Sequence, residues 1–162
     1  MGKLTILLLL SVAIVLGNAN AELEEQEAED DRPCSDGWTE FNSRYFKYVS
    51  TPKTWVDAEK YCISLGGNLA SVHSAGEYDA IKRLVSTSAG GDPATWIGGT
   101  DIYQDRTWFW SDGTSFDYTN WNSGEPNNAG REPCIVTNWP GGNQWNDIRC
   151  ENTYPSVCSR RR

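Results

Sequence analysis

Five side chains in the last quarter of the chain share a type and spacing that suit one kind of chemistry. Glu125 and Asn127 flank Pro126, Glu132 follows, and Asn146 and Asp147 stand behind Trp145. All five offer oxygen, and no His or Cys is among them. A hard cation such as calcium takes six to eight such oxygens at about 2.3–2.6 Å, whereas zinc or copper takes softer ligands. Gathered without a cation, Glu125, Glu132 and Asp147 would repel one another and raise each other's pKa values; a divalent ion removes that conflict. An X-Pro bond is cis at a cost of only about 0.5–1 kcal/mol, and a cis bond at Pro126 would turn the Glu125 and Asn127 oxygens toward one point.

Taken singly, these acids read as solvated loop carboxylates, which is how most Asp and Glu behave. Catalysis fits them less well than binding. Glu125 and Glu132 resemble a glycosidase acid and base only in type, and a carboxylate that ligates a cation is a poor proton donor. The single His73 has no Ser or Cys nucleophile motif around it and reads as a surface or capping histidine. The chain is therefore not expected to be an enzyme.

The elements that must position these groups follow from local signals. Trp55, Ala58, Tyr61, Cys62 and Leu65 recur at helical spacing, with Thr54 as N-cap, Asp57 three residues on, and Gly66-Gly67 as the stop. A second helix starts at Ser74, whose Glu77 completes a capping box, and carries Tyr78, Ile81, Leu84 and Val85 on one face before the break at Ser86 to Gly91. Trp96-Ile97-Gly98, Thr107 to Trp110, Cys134 to Thr137 and Ser156 to Cys158 are short β-prone runs between turn formers. Asp117 to Arg131 is almost wholly turn formers and polar residues, and a loop of that length holding Trp121 and next to Cys134 is expected to be functional.

Outside this region the chain is plainer. Residues 1–32 hold none of the 19 aromatics, and residues 33–162 hold them all. Lys3, the apolar run Leu4 to Leu16 and Ala19-Asn20-Ala21 read as a secretory signal peptide over 1–21, too short for a membrane anchor. Residues 22–32 carry seven acids and read as a disordered acidic spacer. The folded domain is expected over 33–162, secreted and extracellular. Its net charge of -3 out of -8, with scattered basic residues, offers no stripe for nucleic acid; Arg160, Arg161 and Arg162 read as a solvated tail. No Asn-x-Ser/Thr sequon is present. Five cysteines, Cys34, Cys62, Cys134, Cys150 and Cys158, leave one unpaired in an oxidising compartment, with the connectivity open.

Trp55-Val-Asp-Ala58 leading to Cys62, Gly67-Asn-Leu-Ala-Ser71, Trp96-Ile-Gly98, Trp110-Ser-Asp-Gly113, Asn120-Trp121, Glu125-Pro-Asn127, Trp145-Asn-Asp147, Cys150 and Cys158 form an ordered set. From Cys34 to Cys158 the chain resembles the C-type lectin domain family, and its short layout is similar to the small soluble lectins of fish, a group that includes calcium-dependent antifreeze relatives. The resemblance implies an α+β fold, two helices with short antiparallel sheets and a long calcium-binding loop region, with disulfides Cys62–Cys158 and Cys134–Cys150. Long-form members pair an N-terminal Cys about a dozen residues on; Ser43-Arg44-Tyr45 stands there instead. That leaves Cys34 odd and makes a Cys34-linked homodimer an expectation.

The resemblance also implies that Glu125, Asn127, Glu132, Asn146 and Asp147, with the Asp147 carbonyl, hold Ca2+ and a sugar in one shell. Glu-Pro-Asn is the family's mannose-type signature, and galactose binders usually carry Gln-Pro-Asp. Single-site affinity is expected near millimolar, so that useful binding needs multivalency. An auxiliary calcium site would use Asp101, Asp105 and Asn128, with Pro133 standing where an acid belongs. The partners implied are mannose-type glycans, including microbial surfaces. The rival is a non-sugar binder on the same scaffold, taking protein or ice, although Thr114, Thr119 and Thr137 make no regular array.

Overall fold

The computed structural model describes residues 33–34, 36–139 and 143–161. The chain divides between Arg32 and Pro33, and every described residue belongs to the second unit. The signal peptide and acidic spacer expected over 1–32 lie outside the described residues, as does Arg162.

Along the chain run β1 (Pro33–Cys34), β2 (Trp38–Phe41), β3 (Arg44–Lys53), α1 (Trp55–Ser64), β4 (Asn68–Leu69), α2 (Ala75–Ala89), β5 (Thr95–Thr100), β6 (Phe109–Trp110), β7 (Cys134–Trp139), β8 (Gln144–Ile148) and β9 (Tyr154–Arg161). Among the described residues the strands make one sheet in the order β1-β2-β3-β9-β5-β7-β8, with β4 beside β9 and β6 beside β5. The pairing is antiparallel except between β5 and β9, where Trp96 faces Ser156 in parallel. No described helix is long and apolar enough to cross a membrane.

Both helices start where the caps put them. Thr54 Oγ1 accepts from Asp57 N at 3.2 Å, and Ser74 Oγ from Glu77 N at 3.2 Å, satisfying amide groups that the first turn leaves open. α1 buries Ala58 and Cys62, and α2 buries Tyr78, Ile81 and Val85 at the expected spacing. α2 runs through the anticipated break and ends at Gly90, whose φ of 70° suits glycine. Cys62 is bonded to Cys158 and Cys134 to Cys150. They close loops of 96 and 16 residues, for which loop-closure entropy alone gives about 4.7 and 3 kcal/mol.

Other features depart from expectation as well. Trp38–Phe41 and Arg44–Lys53 are strands, and β3 is the longest in the fold. The arginine tail is partly strand as well: Arg160 and Arg161 belong to β9, and the Arg160 guanidinium lies 4.4 Å from the centre of the Trp38 ring and 5.7 Å from that of Tyr45. Cation–π attraction holds that side chain down, so it is not a solvated tail.

One core cluster gathers α1, the disulfides and Trp96; the other gathers α2, Ile97, Ile135 and a set of aromatics. Trp145, fully buried in β8, is ringed by Tyr78, Trp110, Tyr118 and Trp121, each edge-on at 5.7–5.9 Å. The backbone on either side of Trp145 is thereby fixed.

Candidate functional site

The loop from Asp117 to Arg131 has no regular structure, yet β8 holds it in place. Trp145 N donates to Asn120 O at 2.9 Å and Asn122 N to Trp145 O at 2.8 Å, joining the loop to the strand that carries Asn146 and Asp147. A turn closed by Glu125 N and Asn122 O (3.0 Å) then leads into a cis Glu125–Pro126 bond. The loop's hydrogen bonds converge on four of the five residues singled out from the sequence, Glu125, Asn127, Glu132 and Asp147.

Asp147 is fully buried and accepts from two loop amides, Asn127 N on Oδ1 at 2.9 Å and Asn128 N on Oδ2 at 2.7 Å. Asn127 N also lies 3.1 Å from Glu125 Oε2. Ala129 N donates to both Asn127 Oδ1 (2.7 Å) and Glu132 Oε2 (2.9 Å), and Glu132 N to Asn128 Oδ1 (2.9 Å). Glu125, Asn127, Glu132 and Asp147 thus share one small hydrogen-bonded patch. Asn146 adjoins it in β8, 5% exposed, and its Oδ1 is buried with no hydrogen-bond partner. An orphaned buried acceptor of this kind costs free energy unless a ligand or water takes it up.

Electrostatics point the same way. Glu125 is held above the ordinary range by burial, then by its contact with Asp147 and the nearby Asp147 and Glu132 charges, against the opposing Asn127 amide. Burial raises Glu132 as well, with the Asp147 charge adding to it and the Ala129 amide and Arg149 working against it. These carboxylates feel one another, but among the described residues no three His, Cys, Asp or Glu side chains are drawn into a tight metal cluster. The donor set is all oxygen and includes an unused carbonyl, which fits a hard cation and not a soft one.

The residues expected at an auxiliary site line one neighbouring cavity: Asp101, Asp105 and Asn128, with Pro133. Their oxygens are partly engaged. Asp101 Oδ2 accepts from Arg106 N at 2.7 Å, and Asp105 Oδ1 from Asn128 Nδ2 at 2.6 Å. Burial, then the Asp105 and Asp147 charges, raise the Asp101 pKa against the Arg106 amide.

Sequence reasoning missed a polar network on another part of the fold. His73 Nδ1 lies 2.8 Å from Asp117 Oδ1, and Nε2 lies 3.1 Å from both Ser71 Oγ and Thr114 Oγ1. The ring ties the start of the 117–131 loop to the segment before α2. Glu77 does not reach back to its own cap: its Oε2 takes His73 N at 2.7 Å and its Oε1 takes the Arg44 guanidinium at 2.8 Å. Arg44 also donates to Ser71 Oγ at 2.8 Å, and Ser71 to Asp112. The only local signal for this network was the Ser74-x-x-Glu77 pattern. Thr137 is fully buried, and Thr114 is bonded to Asp112 and His73, so Thr114, Thr119 and Thr137 form no common exposed face.

A family model, the lectin C-type domain, matches residues 51–160. Ladderlectin of Oncorhynchus mykiss is 47% identical over 175 residues, covering 96% of this chain and 92% of that protein. Lactose-binding lectin l-2 of Anguilla japonica is 43% identical over 130 residues, 77% of this chain and 76% of that one. Among solved structures, herring type II antifreeze protein superposes with a TM-score of 0.74 at 37% identity, covering 80% of this chain and 99% of that one. With the fold, both disulfides and the matched span in agreement, this chain belongs to the C-type lectin domain family.

Proposed function

We propose that this protein is a secreted, calcium-dependent carbohydrate-binding protein and not an enzyme. The observation that carries the reading is the oxygen-only patch of Glu125, Asn127, Glu132 and Asp147 beside the orphaned Asn146 Oδ1. In this reading the four acid and amide side chains, Asn146 and the Asp147 carbonyl hold one Ca2+. When bound, the ion would supply a Lewis-acidic centre able to take two vicinal sugar hydroxyls.

The chain's own groups then orient the sugar. Glu125 and Glu132 only accept hydrogen bonds, whereas the Asn127 and Asn146 amides also donate, so each hydroxyl's proton has one favoured direction. The order Glu125-Pro126-Asn127 supports mannose-type specificity for equatorial 3- and 4-hydroxyls, and microbial surface glycans as the natural target. A galactose-type reading is favoured instead by the 43% identity to a relative named for lactose. Ice binding is favoured by the likeness to the herring antifreeze protein, but Thr137 and Thr114 are not free to build an ice-matching face.

Retention on immobilised mannose and on immobilised galactose, each eluted with a chelator, tests the reading. Retention on mannose with release by chelation supports it; retention on galactose alone overturns the specificity, and retention on neither overturns the sugar function. Thermal hysteresis with and without chelator tests the ice reading. A Cys34-linked dimer would supply the multivalency that a shallow site needs, and a monomer on both reducing and non-reducing gels refutes it.

A further inference from the structure

A cavity of about 720 Å3 opens between the 66–68 turn, the 112–117 segment and the C-terminal end of β9, and it shares no residue with the patch around Asp147. Its two carboxylates, Asp112 and Asp117, are already matched. Asp112 Oδ1 takes Thr114 N at 3.0 Å and Thr114 Oγ1 at 2.6 Å, and its Oδ2 takes the Ser71 hydroxyl. Asp117 Oδ1 lies 2.8 Å from His73 Nδ1, and that bond holds Asp117 below the ordinary carboxylate range.

The same bonds fix the state of His73. A carboxylate only accepts, so Nδ1 carries a proton toward Asp117. The Ser71 and Thr114 hydroxyls have one proton each and give it to Asp112, so Nε2, 3.1 Å from both oxygens, donates as well. With a proton on each nitrogen, the ring is an imidazolium. Arg44 spends its guanidinium on Glu77, Ser71 and Ser159. The charges of Arg44 and His73 are thus met, inside the network, by Glu77, Asp112 and Asp117.

Arg160 and Arg161 are the unmatched members. Both line the cavity, and neither guanidinium has a hydrogen bond or ion pair among the described residues. Trp38 and Tyr45 take the Arg160 guanidinium at 4.4 and 5.7 Å from their ring centres; stacking of this kind occupies the face of a guanidinium and leaves its in-plane N–H donors free. Arg161 stands directly opposite Arg44 across β9 and β3, and like charges so placed repel. An anion between them relieves that repulsion.

We propose that this cavity binds a phosphate or sulfate ester, its oxyanion held by Arg160 and Arg161. Guanidinium forks match such groups in charge and geometry. The cavity is larger than a free ion needs, and Asn68, Thr114 and Ser115 on its wall suit a polar, hydroxyl-bearing remainder. An alkyl chain would cover those groups without pairing them, a costly desolvation. The site is independent of the sugar-binding reading.

The test is a titration in chelator at constant neutral pH, followed at the ring resonances of His73, the single histidine of the chain. Sodium sulfate, sodium phosphate and glycerol 3-phosphate are the probes, with sodium chloride at matched ionic strength and glycerol as controls. Sulfate or phosphate is expected to shift the ring saturably with a Kd of about millimolar, and glycerol 3-phosphate to bind at least as tightly as phosphate; the tighter of sulfate and phosphate names the ester. Arg161→Gln, at an exposed position, is expected to weaken binding about threefold, and the double variant Arg160→Gln, Arg161→Gln about tenfold. Arg83→Gln removes an exposed cation outside the cavity and leaves binding unchanged. The proposal is overturned by an equal response to chloride, by no saturable shift with sulfate or phosphate, by full affinity in the Arg161→Gln and double variants, by an equal loss in Arg83→Gln, or by exclusion of glycerol 3-phosphate while the free ions bind.

Discussion

The orphaned acceptor of Asn146 gives the cation reading its sharpest consequence. Asn146 is 5% exposed and its Oδ1 has no partner, so without an ion the folded protein carries a penalty of about 1–3 kcal/mol at this atom. The near-isosteric Asn146→Leu removes the acceptor. In chelator its thermal midpoint is expected to equal or exceed that of wild type, because an unsatisfied polar group has been exchanged for an apolar one of similar volume. Calcium reverses the order. Extracellular calcium sites bind with Kd of about 10⁻⁴–10⁻³ M, so about 10 mM calcium stabilises wild type by RT ln(1 + [L]/Kd), roughly 1.4–2.7 kcal/mol. For a domain of this size that is on the order of 5–10 °C in Tm. Asn146→Leu loses most of this rise. Differential scanning calorimetry with chelator and with calcium reads both effects. A variant that is strongly destabilised in chelator, yet still gains the full calcium shift, would refute the reasoning, since Asn146 would then be a packing residue and not a ligand.

Two further outcomes follow from the polar network and the sheet. Burial raises the Asp112 pKa, but bonds from Ser71 and Thr114 and the Arg44 charge outweigh it, and the net value lies below 3.8. A depressed folded pKa means stability that is complete above the unfolded value near 3.8 and is lost as pH falls through the folded one. Asp112→Asn is expected to cost about 1–2 kcal/mol at pH 7 and to flatten the acid limb below pH 3.8; urea unfolding at neutral and acid pH that shows an unchanged acid slope contradicts this. Gly98 sits in β5 where an added Cβ would lie 2.7 Å from Leu69 O and 2.8 Å from Ser111 Oγ. Gly98→Ala is therefore expected to lower stability by about 1–3 kcal/mol, read as a fall in urea midpoint at constant slope; no change would mean that β4 gives way freely.

The two helices were legible because their causes lie within four residues of one another: Thr54 with Asp57, Ser74 with Glu77, and the apolar spacing Tyr78, Ile81, Val85. The oxygen-rich set from Glu125 to Asp147 was legible for a similar reason, as ligand chemistry follows from residue type. Strand β3 was not. Only Phe46 and Val49 of its ten residues are buried, three apart, so no period-two signal exists and the strand is held by antiparallel pairing with β9. Arg160 read as tail because Trp38, which captures it, comes from the opposite end of the domain. Ser71 and Asp112, 41 residues apart, show nothing of their bond until the sheet is assembled.

Composition and short-range pattern thus determined which groups this protein carries and where its helices begin. Tertiary structure decided which of those groups meet. Trp145, buried by aromatics from α2, β6 and the 117–131 loop, brings Asp147 to Glu125 and Asn127, and Asn128 joins that patch to the turn bearing Tyr103. Each of those contacts depends on strand register and close packing between distant segments, for which local sequence carries no energy to read.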